Sequence, residues 1–175
     1  LVLETGMGGL YDVTNVVERP LVSVITSVSI DHTAFLGHTA GEIAVHKAEI
    51  IKPGCPAVYD DSCPEAEAVI LEMAEKKGSP AFPVGCVPFR LEGETLVFQW
   101  DSLGKTEEFT VGFSAPYQAE NAALAVTALS VSGLGIPAEA VRRGLRSARW
   151  PARMERLLPG VYLDGAHNED GIRAF

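Results

Sequence analysis

Short apolar runs alternate with helical segments along the first half of the chain, and this alternation strongly limits the fold. Leu1–Leu3 and Leu21–Val28 have the composition of buried parallel strands. Ala57–Tyr59 is a further predicted strand, and Pro64–Lys77 is a predicted helix rich in Glu and Ala. This order indicates an α/β domain with a mainly parallel sheet flanked by helices.

A different pattern follows in the middle of the chain. Phe89–Trp100 has the form of two strands joined at Glu92–Glu94, and Glu107–Phe113 adds a third strand. Helices are predicted at Gln118–Ser130 and from Pro137 to Arg146. We therefore expect a small antiparallel meander beside the parallel sheet, followed by two helices.

A domain boundary is predicted at Trp150-Pro151, because a proline disfavours helix in the residue before it. We expect residues 1–149 to form most of one domain. Residues 150–175 would then be a hinge followed by Val161–Leu163, the first strand of a second α/β domain. The chain starts within a strand and stops where a helix should begin, so we expect an internal piece of a larger protein.

Composition argues against several kinds of partner. The 175 residues carry a net charge of −9, which disfavours a broad nucleic-acid surface. No apolar run approaches the roughly 18 residues of a membrane-spanning helix. The cysteines, Cys55, Cys63 and Cys86, lack metal-binding spacing and suggest reduced cytosolic thiols. We expect a cytoplasmic monomer with no nucleic-acid or membrane partner.

One predicted helix places a lysine on its apolar face. Thr39 and Glu42 have the spacing of a capping box, and Pro53-Gly54 ends the helix after Lys52. At about 3.6 residues per turn, Lys47 lies on the stripe of apolar residues. An unpaired ammonium is costly there, so Lys47 must extend to solvent, pair with a carboxylate or be chemically changed.

Two polar residues follow the two buried strands. Glu4 comes after Leu1–Leu3, and His32 comes after Leu21–Val28. The carboxyl ends of neighbouring parallel strands meet at one edge of a sheet, where ligands of α/β folds bind. A carboxylate with an imidazole could hold Mg²⁺ or Mn²⁺. Alternatively, Asp31 caps a helix and the imidazole of His32 is simply exposed.

Another polar group lies near the end of the chain. The planar guanidinium of Arg153 suits phosphate oxygens. Asp164 ends a predicted strand, where it could accept hydrogen bonds from ribose hydroxyls, and His167 could contact phosphate or be structural. Together, these residues form a credible nucleotide site.

Several motifs, in this order, resemble the folylpolyglutamate synthase/dihydrofolate synthase family of the Mur ligase superfamily. They cover almost the whole chain: Glu4-x-Gly6-x-Gly8-Gly9-x-x-Asp12-x-Thr14-Asn15, Asp31-His32, Phe35-Leu36-Gly37, Lys47-Ala48, Lys52-Pro53-Gly54, Gln118-x-x-Asn121-Ala122, Arg153-Met154-Glu155 and Asp164-Gly165-Ala166-His167-Asn168. The resemblance implies that the α/β fold is the central domain of a Mur-type ligase.

The resemblance also implies a chemical change at Lys47. The matching lysine of the family is carbamylated by CO₂, which turns a buried cation into a carboxylate that helps to bind Mg²⁺. The other implied metal-binding residues are Glu4 and His32. Burial of Lys47 fits this chemistry, because carbamylation needs the neutral amine and burial lowers the pKa of a lysine. Lys47, His32 and Glu4 are thus the expected catalytic and metal-binding residues.

Further roles are implied in the same way. Asn121 is expected at the adenine, Arg153 at the phosphates and Asp164 at the ribose, with His167 nearby and Asp12 toward the pterin substrate. In the implied reaction, a substrate carboxylate attacks the γ-phosphate of ATP, and the amine of L-glutamate then attacks the acyl phosphate. The expected partners are therefore ATP, Mg²⁺, L-glutamate, and dihydropteroate or tetrahydrofolate.

Three residues depart from the family pattern. This chain has Leu10 where the family usually has Arg, Glu49 where it usually has Gly, and Tyr117 where it often has His. Leu10 removes a charged contact near the substrate loop. The family's P-loop belongs before Leu1, and most of its C-terminal domain belongs after Phe175, so we expect the chain alone to be inactive. The alternatives are a muramyl-peptide amino-acid ligase and a non-catalytic nucleotide- or metal-binding fragment.

Overall fold

A parallel sheet of three strands lies in the first half of the chain, as the apolar runs predicted. The computed structural model describes residues 1–102, 104–166 and 169–174. The elements of the first half are a 3₁₀ helix (Val13–Val16), β1 (Ser23–Ile25), α1 (Thr33–Leu36), α2 (Ala40–Ala48), β2 (Ala57–Asp60), α3 (Pro64–Lys76) and β3 (Ala81–Val84). The strands pair in the order β1-β2-β3, all parallel.

The hydrophobic core of this half lies between the sheet and helices α2 and α3. Strand β2 is buried on both faces, since Val58 and Tyr59 are 0% and 1% exposed. Ile43 of α2 and Ile70 of α3 belong to the same core as Tyr59. Full burial of an isoleucine contributes about 1.5–3 kcal/mol, so a few such residues are enough to fix both helices.

Helix α2 forms where the capping signals place it. Glu42 donates its amide to the hydroxyl of Thr39 at 3.2 Å, and its carboxylate accepts the amide of Thr39 at 3.2 Å. The helix ends at Ala48 rather than at the predicted Lys52. The reason is a tightened last turn, in which the amide of Ile51 donates to the carbonyl of Ala48, three residues back.

Two strand predictions need correction. Leu1–Leu3 was predicted as a buried strand, and this was wrong: these residues are exposed and pair with no strand in the described part of the chain. Strand β1 is shorter than Leu21–Val28 and is buried on one face only, with Val24 37% exposed. Strand β3 was missed because Pro83 interrupts its apolar pattern, which an edge strand tolerates.

The second half contains the predicted antiparallel meander and two helices. Its elements are β4 (Phe89–Glu92), β5 (Thr95–Ser102), β6 (Lys105–Val111), α4 (Gln118–Val131), α5 (Ala138–Ser147), β7 (Glu155–Leu158), β8 (Val161–Leu163) and α6 (Glu169–Ala174). Strands β4, β5 and β6 form one antiparallel sheet, and β7 and β8 form a separate hairpin. The mixed α/β class, with a parallel sheet and a small antiparallel sheet, is therefore confirmed.

The contacts of the chain group into two compact units. The first unit contains residues 1–85 and 131–133, and the second contains residues 86–130 and those from 134 onward. The boundary expected near Trp150 stays a prediction. None of the described helices is long and apolar enough to cross a membrane.

Candidate functional site

A pocket of about 160 Å³ lies in the first unit, beyond the carboxyl end of β1. Its walls come from the glycine-rich loop of residues 5–8, from the segment after β1, and from helices α1 and α2. The polar side chains in its lining are Thr5, Ser27, Ser29, Asp31, His32 and Lys47. Two of the three predicted catalytic residues, His32 and Lys47, therefore meet here.

Lys47 is half-buried on helix α2, as its position on the apolar stripe predicted. Burial lowers the pKa of its amine below the ordinary value, and the negative charge of Asp31 opposes this shift. Deprotonation of Lys47 to the neutral amine therefore costs less free energy than deprotonation of a solvated lysine. The direction of this shift favours the neutral amine, which is the form that reacts with CO₂.

His32 reaches the pocket through an unusual backbone conformation. Its φ of 51° is left-handed, and its amide donates to the Asp31 carboxylate at 2.7 Å. The imidazole Nδ1 lies 4.0 Å from Oδ1 of Asp31, and the side chain is 52% exposed. Left-handed residues other than glycine are uncommon and concentrate at functional sites. The helix-cap interpretation is only partly right, because no side chain caps α1 at this position.

The side chains of this pocket suit a hard divalent cation as ligands only if Lys47 is carbamylated. No group of three or more His, Cys, Asp or Glu side chains in the described part of the chain could hold a metal ion. An ammonium at Lys47 would repel a cation, whereas a carbamate would add oxygens beside Asp31 and His32. The pocket therefore fits Mg²⁺ if Lys47 is carbamylated.

Glu4 is not brought into the pocket. It is exposed and absent from the lining, although the next residues, Thr5 and Gly6, do contribute to it. The physical reason is that Leu1–Leu3 pairs with none of the strands that the structure describes, so nothing in those strands fixes Glu4 at the sheet edge. The metal-binding role of Glu4 stays a prediction.

Asp12 organises the glycine-rich loop. Its Oδ2 accepts the amides of Gly6 and Met7 at 2.9 and 3.1 Å. Its Oδ1 accepts the amide of Thr14 at 2.9 Å and the hydroxyl of Thr14 at 2.6 Å. The bonds from Thr14, followed by those from the loop amides, lower the pKa of Asp12 to about 2. The carboxylate is thus ionised and holds the pocket wall in place.

Gly9 lets this loop pack directly on helix α2. A Cβ at Gly9 would lie 2.6 Å from the carbonyl oxygen of His46, which no real contact allows. The amide of Leu10 donates to that same carbonyl at 3.0 Å. This glycine therefore serves the packing of the loop onto the helix that carries Lys47.

A second polar cluster lies in the second unit, around Asp164. Its Oδ2 accepts the hydroxyl of Tyr117 at 2.7 Å and the amide of Met154 at 2.9 Å, and its Oδ1 accepts the amide of Ala166 at 2.8 Å. Burial raises the pKa of Asp164, but these donors and the nearby charge of Arg153 lower it overall. Burial and the bond to Asp164 raise the pKa of Tyr117 to about 12.

The other predicted nucleotide residues adjoin this cluster in different ways. Arg153 is exposed, and its guanidinium lies over Gly165, where an added Cβ would come within 3.2 Å of Nη1. Asn121 is exposed on α4, and its backbone N–H donates to the backbone carbonyl of Tyr117 at 3.3 Å. His167 lies outside the described residues.

Two residues of these sites were not among the predicted site residues. For Asp31 the sequence predicted only a capping role, although its place beside His32 was a usable signal. Tyr117 was seen only as a departure from the family pattern. Its contact with Asp164 joins residues that are 47 positions apart, and no local pattern could reveal it.

No protein-family model matches the chain. Curated relatives do match it over nearly its full length. A dihydrofolate synthase/folylpolyglutamate synthase of Bacillus subtilis is 42% identical over 184 residues, which covers 98% of the chain and 42% of the relative. A folylpolyglutamate synthase of Lacticaseibacillus casei is 37% identical over 183 residues, with the same shares. The chain thus spans about 42% of the length of these relatives.

Solved structures agree with the sequence matches. A complex of folylpolyglutamate synthase (FPGS) with AMPPCP and folate superposes with a TM-score of 0.93 at 36% identity, and the match covers 99% of this chain and 45% of that one. The folylpolyglutamate synthase of Thermotoga maritima gives a TM-score of 0.85 at 34% identity, with 99% and 41% covered. In sequence and in structure, the chain is therefore strongly homologous to the folylpolyglutamate synthase/dihydrofolate synthase family and corresponds to a part of its full-length members.

Proposed function

We propose that the chain is part of an ATP-dependent ligase that joins L-glutamate to dihydropteroate, to a reduced folate, or to both. The observation that carries this proposal is the match to the FPGS–AMPPCP–folate complex, which extends over 99% of the chain at a TM-score of 0.93. The pocket that contains His32 and Lys47 supports it, because these side chains have the family's expected chemistry.

The proposed reaction has two steps. The carboxylate of the pterin substrate attacks the γ-phosphate of ATP, so that ADP leaves and an acyl phosphate forms. The amine of L-glutamate then attacks the acyl carbon, phosphate leaves, and the amine loses a proton. Mg²⁺, when bound, neutralises the charge that develops on the phosphate oxygens.

The residues of the first unit are proposed to prepare the metal site. Lys47 would be carbamylated when its neutral amine attacks CO₂ and loses a proton, which its partial burial favours. The carbamate, the imidazole of His32 and the carboxylate of Glu4 are the proposed ligands. Asp12 is proposed to act on the substrate side, where its four hydrogen bonds hold the loop in shape.

The residues of the second unit are proposed to bind ATP. Asp164 would accept a hydrogen bond from the ribose, Arg153 would contact the phosphates and Asn121 the adenine, with His167 nearby. The support is that Arg153 approaches Gly165 beside Asp164, and that Asn121 adjoins Tyr117. We propose residues 1–149 as a partial ATP-binding domain and residues 150–175 as the start of the next.

Cytoplasmic location and a monomeric state complete the proposal, with no nucleic-acid or membrane partner. The net charge of −9 supports the part of this proposal that concerns nucleic acid, because a negatively charged chain disfavours such a partner.

The deciding experiment measures phosphate release by the full-length protein that carries this chain, with ATP, Mg²⁺ and L-glutamate. Release on addition of dihydropteroate indicates dihydrofolate synthase activity. Release with tetrahydrofolate alone indicates a dedicated polyglutamylating enzyme. If neither substrate gives release but a UDP-linked muramyl precursor does, the proposal is wrong and a muramyl-peptide ligase takes its place. No release with any acceptor supports a non-catalytic nucleotide-binding role.

A further inference from the structure

Tyr117 makes the single side-chain hydrogen bond to Asp164 within the described residues. Its hydroxyl donates to Oδ2 at 2.7 Å, and Tyr117 lies immediately before helix α4. The other two donors to Asp164 are the backbone amides of Met154 and Ala166. The orientation of this carboxylate therefore depends on one replaceable side chain and on the local backbone.

The number of acceptor positions on Asp164 limits what else it can bind. An ionised carboxylate offers about four lone-pair positions, two on each oxygen. Tyr117 and Met154 occupy both positions of Oδ2, and Ala166 occupies one position of Oδ1. One position, on Oδ1, has no partner among the described residues. Tyr117 thus directs the open position of the carboxylate to a single oxygen.

Hydrogen bonds connect the backbone on either side of Arg153 to Asp164 and to the adjacent Gly165. Ala152 and Met154, on either side of Arg153, have left-handed φ values of 57° and 51°. Such a conformation is strained for these residues and persists only where surrounding contacts hold it. Three contacts hold it here: the amide of Met154 donates to Asp164, the amide of Gly165 donates to the carbonyl of Ala152 at 2.8 Å, and the amide of Ala152 donates to the carboxylate of Glu155 at 2.9 Å.

We infer that Tyr117 is a positioning residue of the nucleotide site, which fixes Asp164 so that Oδ1 receives one ribose hydroxyl. This inference rests on the proposed function, since it assumes that the second unit binds ATP. It goes further by assigning a role to a residue that departs from the family pattern. A tyrosine hydroxyl and a histidine N–H can both donate to a carboxylate, so either residue can serve at this position.

The test is the affinity of the full-length protein for ATP, 2′-deoxy-ATP and 3′-deoxy-ATP, measured by calorimetry without the second substrate. Wild-type protein should bind ATP more tightly than at least one deoxy analogue. Tyr117→Phe should bind ATP about tenfold more weakly, as expected for loss of a hydrogen bond to a charged group. The variant should also lose its preference for ATP over that analogue, and Tyr117→His should restore it. Tyr162→Phe, on the exposed hairpin, is the matched control.

Each other outcome contradicts the inference in a distinguishable way. If wild type binds ATP but Tyr117→Phe keeps both the affinity and the ribose preference, only the role of Tyr117 is wrong. If the variant loses affinity equally for all three nucleotides, Tyr117 is a general structural residue and the inference fails. If wild-type protein does not bind ATP, both the proposed function and the inference about Tyr117 are wrong.

Discussion

The pocket around Lys47 and the cluster around Asp164 prepare charged groups by opposite physical means. Lys47 is half-buried, and burial moves its pKa toward the neutral form. Burial acts on Asp164 as well, but three hydrogen-bond donors and Arg153 outweigh it and keep the carboxylate ionised. Burial thus favours the neutral amine of Lys47, whereas hydrogen-bond donors and a nearby positive charge favour the ionised form of Asp164.

The difference follows from what each side chain contacts. Lys47 lies on an apolar helix face with Ile43, and the charge of Asp31 offsets its burial only in part. Asp164 lies between a tyrosine hydroxyl and two backbone amides. Burial without partners disfavours charge, whereas burial with several donors favours a carboxylate. Five experiments can break or sharpen this contrast.

The largest expected effect is that of Lys47→Ala on turnover. Loss of the proposed carbamate would remove several kcal/mol of charge stabilisation, so phosphate release by the full-length protein should fall by about a thousandfold or more. The exposed Lys76→Ala on helix α3 is the matched control and should stay close to wild type. Near-normal turnover of Lys47→Ala would remove Lys47 from the metal site.

A spectroscopic measurement separates the carbamate from activity. Wild-type protein and Lys76→Ala, incubated with ¹³C-labelled CO₂, should give a carbamate resonance that Lys47→Ala lacks. A resonance of equal strength in Lys47→Ala would place the modification on another amine.

A smaller effect is expected for Asp164→Asn. The amide keeps the shape but loses the charge that accepts hydrogen bonds, so KM for ATP should rise by about ten- to a hundredfold. The carbamate resonance at Lys47 should be unchanged, because the two sites work by different means. If that resonance disappears, the two sites are coupled and the contrast between them is wrong.

Thr39→Ala tests whether the helix that carries Lys47 depends on its cap. Loss of the hydroxyl that accepts the amide of Glu42 should lower the free energy of unfolding by about 1 kcal/mol. Denaturant unfolding provides the measurement. Thr39→Ser keeps the acceptor and should recover most of the loss; equal loss in both variants would mean that packing of the Thr39 methyl group matters instead.

The smallest effect is on stability at alkaline pH and concerns Tyr117, whose pKa is raised by burial and by Asp164 to about 12, from 10.0. Because the folded-state pKa is the higher one, its stabilisation is complete below pH 10 and is lost as pH rises toward 12. Tyr59 of the first unit behaves alike. Absorbance titration should show one late-ionising tyrosine fewer in Tyr117→Phe than in wild type. An unchanged titration curve would contradict the partly buried hydrogen bond from Tyr117 to Asp164.

Local signals predicted the elements that build the first site. The capping pair Thr39 and Glu42 and the apolar stripe with Lys47 act within a few residues, so the sequence was enough to predict the start of helix α2 and the face that carries Lys47. The meander and helix α4 were predicted for the same reason, from strand alternation and helical periodicity. Strand β3 was missed because Pro83 contradicts the local pattern, and only its place at a sheet edge makes it acceptable.

By itself, the sequence determined the α/β class, helix α2, the inward position of Lys47 and the order of the family motifs. Only the tertiary structure decided that His32 joins Lys47 in one pocket while Glu4 stays outside it. It alone placed the hydroxyl of Tyr117 on Asp164, 47 residues away. The physical reason is range: caps and periodicity act within a turn or two of the chain, whereas burial and the partners of a carboxylate depend on distant segments brought together by folding.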